Sequence, residues 1–355
     1  MPLETTVVGS YTRPDWFIEA RRSSEVGELS KEVYKELLQI AVRETVKEQL
    51  DAGIDIISDG EQGRTSFWEY FTERIEGLAF EGISYTFSHG ATRPGIAVVN
   101  KLRRREGPLA EDVRRVKRLT NKKRLKVPNI SVTFLATTKT LRISKSAYTS
   151  RGAYAEDLIQ LLKEEYQATL QAGADIIQID IPDFTHLTAK PRGEAIPQLK
   201  SNIDLINSSV SRLPRRQIHA HMCYGNYKAA HRTDGTYTNL LPDIYDLRVG
   251  TLCLEMANAR HADDIQLLKE HPPPKGMKIA VGAIDVKTPD VEPVWLVKKR
   301  LLAAAEHIDP KQLSATTDCG FAPTWDSDII PRSACQLKLK NLAQGAKEAS
   351  IELGV

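Results

Sequence analysis

The sequence predicts a (β/α)8 TIM barrel, an α/β fold, with a long insertion after strand 2. Three observations predict it. Short β-branched runs recur along the chain, with amphipathic stretches between most of them. Two of those stretches end in glycine, Gly53 and Gly173, where a helix terminus turns left-handed and a missing Cβ removes the penalty. No G-x-G-x-x-G motif follows the first run, which weakens the alternative of a doubly wound open sheet.

Eight runs read as strands: 5–9, 54–58, 129–135, 175–180, 217–222, 251–255, 277–281 and 312–317. Several are apolar at consecutive positions, as strands of a parallel sheet covered on both faces are. Before the second run, Val33, Leu37, Leu38, Ala41 and Val42 make one helical face. Leu158, Ile159, Leu162, Tyr166 and Leu170 do the same before the fourth. Further helices are expected over 263–270 and 294–307. The interval 60–128 exceeds an ordinary loop. Within it, 101–126 holds 12 Lys/Arg against three acids. That stretch reads either as a solvated helical insertion or as a docking face for an anionic ligand or partner. No other linker is evident, so 1–355 reads as a single catalytic domain carrying the insertion 60–128.

Composition removes several function classes. The 355 residues are 41% hydrophobic and 27% charged, the mix of an ordinary globule. No apolar run approaches the ~18 residues that span a bilayer, so no membrane role is expected. The first residues lack the basic and apolar segments of a signal peptide. A net charge of +3 argues against nucleic-acid binding. The four cysteines, 223, 253, 319 and 335, are too scattered for a disulfide framework. Reduced thiols in the cytoplasm, some of them on a metal, are expected instead.

The chemistry gathers at strand ends, where barrels of this kind place their active sites. The fifth run ends in His219-Ala-His221-Met-Cys223. Side chains two apart on a strand share a face, so His221 and Cys223 can aim at one atom. The sixth run ends in Cys253-Leu-Glu255, and the eighth leads into Asp318-Cys319-Gly320. Imidazole, two thiols and a carboxylate on one rim suit Zn2+. His219 reads as packed one layer deeper. Cys253 reads as a buried small hydrophobe or a substitute ligand, and Cys335 as structural.

On these residues the sequence resembles the cobalamin-independent methionine synthase family. The segment His219-Ala-His221-Met-Cys223-Tyr224 is similar to its zinc-binding H-x-C motif. Glu255 and Cys319 match the family's two other ligands. Val8-Gly9-Ser10-Tyr11 resembles its G-S-F strand, and Asp59-Gly60-Glu61-Gln62-Gly63-Arg64 its H-G-E-P-E-R segment. Ile177-Gln178-Ile179-Asp180 resembles its I-Q-I-D. The matches span 8–321 and correspond to the family's catalytic C-terminal half. The resemblance implies zinc on His221, Cys223, Glu255 and Cys319, binding the homocysteine thiol as a thiolate. It implies Glu61 and Asp180 on the substrate ammonium and Ser10 on its carboxylate.

Two departures fall on the methyl-donor side. The family's I-D-E-P-A-L reads Ile179-Asp180-Ile181-Pro182-Asp183-Phe184, so the glutamate is gone and Asp183 stands in only after a shift. Its D-I-H-S-P-R reads Asp285-Val286-Lys287-Thr288-Pro289-Asp290, with Lys287 replacing a histidine thought to activate the donor. Lys287 and Asp183 are therefore the catalytic candidates. The missing N-terminal half adds to these departures. Together they lead to the expectation of a methyl-corrinoid protein or methylcobalamin as donor in place of methylfolate. The alternative keeps zinc and changes the thiol, as in the related epoxyalkane:coenzyme M transferase, with Arg13 and Arg64 available for a sulfonate. A non-enzymatic zinc- or thiol-binding protein is the third reading.

Overall fold

The computed structural model describes residues 2–86, 92–104, 109–137, 141–231, 233, 235–326 and 329–355. Its strands are β1 (Ile56–Ile57), β2 (Ile75–Thr86), β3 (Thr92–Arg104), β4 (Arg124–Ile130) and β5 (Arg142–Ile143). They continue with β6 (Ile176–Asp180), β7 (Ile218–Met222), β8 (Thr251–Leu254), β9 (Lys278–Ile284) and β10 (Leu313–Thr317). Seven of them form one parallel sheet in the order β1-β4-β6-β7-β8-β9-β10. Thr5 bridges Ala315 of β10 and Thr6 bridges Ile56 of β1. Residues 5–6 therefore lie between the two outer strands and link them. The Thr6 N–H donates to Ala315 O and the Ile56 N–H to Thr5 O, each at 3.0 Å.

The middle of the parallel sheet is buried because helices cover it. Every residue of β6, β7, β8 and β10 is buried. The helix Lys31–Ala52 opens on Ser30, whose hydroxyl accepts the Val33 N–H. It closes on Gly53 at φ 87°, the left-handed end expected from the sequence. Gly173 lies at φ 114° in the corresponding turn before β6. Each fully buried Leu, Ile or Val contributes roughly 1.5–3 kcal/mol, and Val42, Leu158 and Leu162 supply this along the faces read from the sequence, whereas Val33 at the helix start is exposed.

The differences from expectation are local. The 129–135 run is split: β4 ends at Ile130 and a helix spans Val132–Thr137. Ser131 makes the break, its Oγ accepting the Phe134 N–H at 3.1 Å. The 5–9 run pairs only through its two bridges, and of 54–58 only Ile56–Ile57 is laddered.

The insertion is not mainly helical. It holds the antiparallel pair β2 and β3, joined by β5 into a second sheet, and the helix Ala110–Leu119. Ile96, Ala97 and Val98 of β3 are buried, and β3 packs on the helix Arg151–Gln171. The basic stretch is largely answered from within the chain. Arg104 pairs with Glu165 at 2.5 Å, Lys117 with Asp175 at 2.9 Å, Lys123 with Asp55 at 3.2 Å, and Arg124 with Glu4. Arg105 and Glu106 lie outside the described residues. No helix among the described residues is long and apolar enough to cross a membrane.

Candidate metal centre and active site

The C-terminal ends of the parallel strands converge on a cleft with a cavity of about 70 Å³, lined by Ser10, Glu61, Asp180, His221, Cys223 and Cys319. Val8, Phe67, Pro182 and Pro323 supply its apolar walls.

Glu61 is set by an unusual backbone. Gly60 has φ 70° and Glu61 itself φ 54°, a conformation that costs a non-glycine residue energy and persists only where its surroundings enforce it. The Glu61 N–H donates to Asp59 Oδ1 at 3.0 Å, and Arg13 Nη2 donates to both Glu61 O and Arg64 O at 3.1 Å. Gly9 leaves room for the carboxylate, since a Cβ there would lie 2.3 Å from Glu61 Oε1 and 2.6 Å from Pro128 Cγ. Burial pushes the Glu61 carboxyl up to about 7. Asp180 and Asp59 add to the rise, against the pull of Arg64 and Arg13.

Asp180 closes β6 beside His221 of β7, its partner in the ladder. It accepts from Gln178 Nε2 at 2.8 Å and faces His221 Nδ1 at 3.3 Å. Burial alone lowers the His221 pKa, but Asp180 and the Cys223 sulfur carry it above its ordinary value.

One ligand atom each from His221, Cys223 and Cys319 lies within 4.8 Å of the others. The Cys319 thiol beside it, helped by His221 against burial, pulls Cys223 down to about 7, while the Cys319 thiol is pushed up. Both responses follow from two sulfurs sharing one proton. Two thiols and an imidazole within this span fit the donor set of a zinc site.

Glu255 is completely buried and adjoins Cys223 through Tyr224, although its oxygens are not in that 4.8 Å group. Its Oε2 accepts the Tyr224 N–H at 2.9 Å. Its Oε1 receives His231 Nε2 at 3.1 Å and the Lys287 ammonium. Although burial opposes ionisation, Lys287 and His231 hold the carboxyl down at about 2. Its oxygens group with His231 and His261 within 4.8 Å.

The two catalytic candidates of the donor side are not among the cleft-lining residues. Lys287 is turned onto Glu255, which holds its proton more tightly than a free lysine does. Asp183 sits on the 3-10 turn Pro182–Phe184 and accepts from Ser131 Oγ at 3.3 Å.

Other residues assist without having been singled out in the sequence. Asp318 accepts the N–H groups of Met256, Ala257 and Asn258 at 2.8–2.9 Å, pinning the segment after β8 to the end of β10. Its place next to Cys319 was the available signal. His231 lies 24 residues before Glu255 in an irregular segment, and no spacing announces it. His219 and Cys253 are buried, His219 two residues before His221 on β7 and Cys253 beside His221 in the β7–β8 ladder. Cys335 packs on the last helix, Arg332–Leu353, with Thr12 Oγ1 at 3.2 Å.

The position of Glu61 gives a first expected result. If its carboxylate receives the substrate ammonium, KM for an amino-acid thiol climbs as pH falls through 7, because the carboxyl then takes up a proton. Steady-state kinetics from pH 5.5 to 8.5 checks this. The Glu61→Gln variant should have a high KM with a flattened profile, whereas a wild-type KM independent of pH would remove Glu61 from the binding site.

Residues 3–347 match the family model described as "Cobalamin-independent synthase, Catalytic domain". The chain is 29% identical over 352 residues to a methionine synthase of Thermococcus kodakarensis, covering 99% of this chain and 94% of that protein. It is 27% identical to the 5-methyltetrahydropteroyltriglutamate--homocysteine methyltransferase of Corynebacterium efficiens, covering 99% of this chain and 44% of that longer protein. Among solved structures, a B12-independent methionine synthase from Shewanella sp. W3-18-1 in complex with selenomethionine superposes with a TM-score of 0.80. It shares 26% identity, and 99% of each chain is covered.

Proposed function

Since this chain belongs to the cobalamin-independent synthase catalytic-domain family, an enzyme family, we propose that it is a zinc-dependent methyltransferase forming methionine from homocysteine. The observation that carries the reading is the meeting of His221, Cys223 and Cys319 with Glu61 and Asp180 in one cleft. On this reading the parallel sheet and residues 5–9 make a closed eight-stranded barrel. Residues 1–355 are one catalytic domain, and 60–128 is its insertion. Four free, buried cysteines fit a reducing cytoplasm.

His221, Cys223 and Cys319 would hold zinc, with Glu255 as the fourth protein ligand. When bound, zinc supplies the charge that keeps a thiol deprotonated near neutral pH. The remaining work belongs to the side chains. Glu61 and Asp180 receive the substrate ammonium and fix the amino-acid end. Ser10, on the same cleft wall, takes the substrate carboxylate. Asp180 also orients the His221 ring through Nδ1, as a carboxylate partner does for a ligating histidine. Val8, Phe67, Pro182 and Pro323 keep water from the sulfur.

The corrinoid donor expected from the sequence gains no support. The matching family is described as cobalamin-independent, and the Corynebacterium relative's name carries methyltetrahydropteroyltriglutamate. We take the same class of methylated pterin as the donor here. Phe67, which lines the cleft and is backed by Phe134, offers an aromatic face for a flat heterocycle. The sulfonate-thiol alternative is disfavoured by the cleft. Its lining carries two acids, while Arg13 and Arg64 are not among the lining residues and donate to backbone carbonyls.

The test is a matrix of two thiols and three donors. Homocysteine and coenzyme M are each assayed with methyltetrahydropteroyltriglutamate, methylcobalamin and a small epoxide. Methionine from homocysteine and the methylated pterin is expected. Turnover of coenzyme M alone would overturn the substrate assignment, and faster turnover with methylcobalamin would overturn the donor.

A further inference from the structure

Glu255 is crowded by donors in a way its role as a metal ligand does not require. Lys287 Nζ and His231 Nε2 share Oε1, and the Tyr224 N–H occupies Oε2. Lys287 is itself enclosed, with a side chain 3% exposed against 0% for Glu255. A buried cation on a buried carboxylate interacts strongly because little water screens the pair. The lysine's backbone is held too, its main-chain N–H donating to Asp285 Oδ1 at 2.8 Å.

We propose that Lys287 is a positioning residue, a built-in counter-cation of the metal centre that weakens the hold of Glu255 on zinc and so readies the fourth position for the substrate sulfur. The inference rests on the zinc-centre reading above. Two thiolates and one carboxylate bring three negative charges to a dication, leaving about −1. Lys287 cancels that excess and competes for the carboxylate lone pairs. His231, bonded to the same oxygen, fixes which lone pairs are left for the metal. The His231–Glu255–His261 group is then no second metal site, because a cation from the chain already sits on its carboxylate.

The sign of the effect separates this role from simple structural support. Zinc affinity is measured by chelator competition on the full chain, for wild type, Lys287→Met, Lys287→Arg and His231→Gln. Lys287→Met should bind zinc tighter, on the order of tenfold or more, because a repelling charge is gone and the carboxylate is freed. Homocysteine binding followed by the visible spectrum of the cobalt-substituted protein should weaken in the same variant. Lys287→Arg should return both toward wild type, and His231→Gln should shift them in the direction of Lys287→Met by less. Unchanged or weaker zinc binding in Lys287→Met would overturn the inference. A wild type that binds no zinc would instead overturn the metal-centre reading, so the two failures are distinct.

Discussion

Cys223→Ser and Cys319→Ser should each purify with little zinc and form methionine more than about 100-fold slower than wild type. Loss of an outer partner of a metal ligand already costs 10–100-fold, and loss of the ligand itself exceeds that. Serine keeps the volume, and these positions are 6% exposed, so folding should survive. The control is Cys253→Ser, beside His221 in the β7–β8 ladder but outside the trio. It should keep its zinc and most of its activity. Elemental analysis of all three proteins, with circular dichroism to confirm folding, decides the matter. Full zinc content in both Cys223→Ser and Cys319→Ser would refute the assignment of the centre.

Lys126→Met should stabilise the protein at neutral pH by about 3 kcal/mol and raise Tm by several degrees. Lys126 of β4 is 0% exposed, and its Nζ has no hydrogen-bond partner among the described residues. Burial pushes its pKa down from 10.5 to about 8, although Cys253, Asp180 and Glu61 each pull upward. The unfolded chain binds this proton more tightly than the folded one. Wild-type stability should therefore rise between about pH 8 and 10.5, and the penalty is fully present below that window. In Lys126→Met the rise should vanish. Denaturant titrations at pH 7, 8, 9 and 10 measure it, and parallel pH dependence in the two proteins would show that Lys126 is solvated after all.

Much of the candidate site was legible because strand ends are written locally. Alternation placed His221 beside Cys223, and the end of β10 placed Cys319; these needed only the period of a strand and the rule that such folds react at one rim. Glu61 was legible through the segment around it, although nothing in the sequence announced its left-handed backbone. The partners of Glu255 were not legible. Lys287 and His231 come from segments 32 residues after it and 24 before it, and only the folded chain sets both on one oxygen. The same reason hid the pair of β2 and β3. Their ladder runs through several irregular steps, so no clean alternation survives in that stretch. The long apolar run at 129–135 misled for the opposite reason. Its composition suits a strand, but a single hydroxyl at Ser131 converts the second half to helix.

The bridges made by Thr5 and Thr6 set a timetable for synthesis. Their neighbour Val8 donates to Thr317, 309 residues further along. At 5–20 residues per second, a ribosome needs roughly 15–60 s to supply that partner. Through that interval the segment that links β1 to β10 has only half of its neighbours. The side of that segment which later meets β10 stays open, and an open edge is a template for foreign strands. The last steps of translation, not the first, therefore decide whether this sheet closes on itself or on another nascent chain. Crowded polysomes are where its yield should depend most on chaperones that cover strand edges.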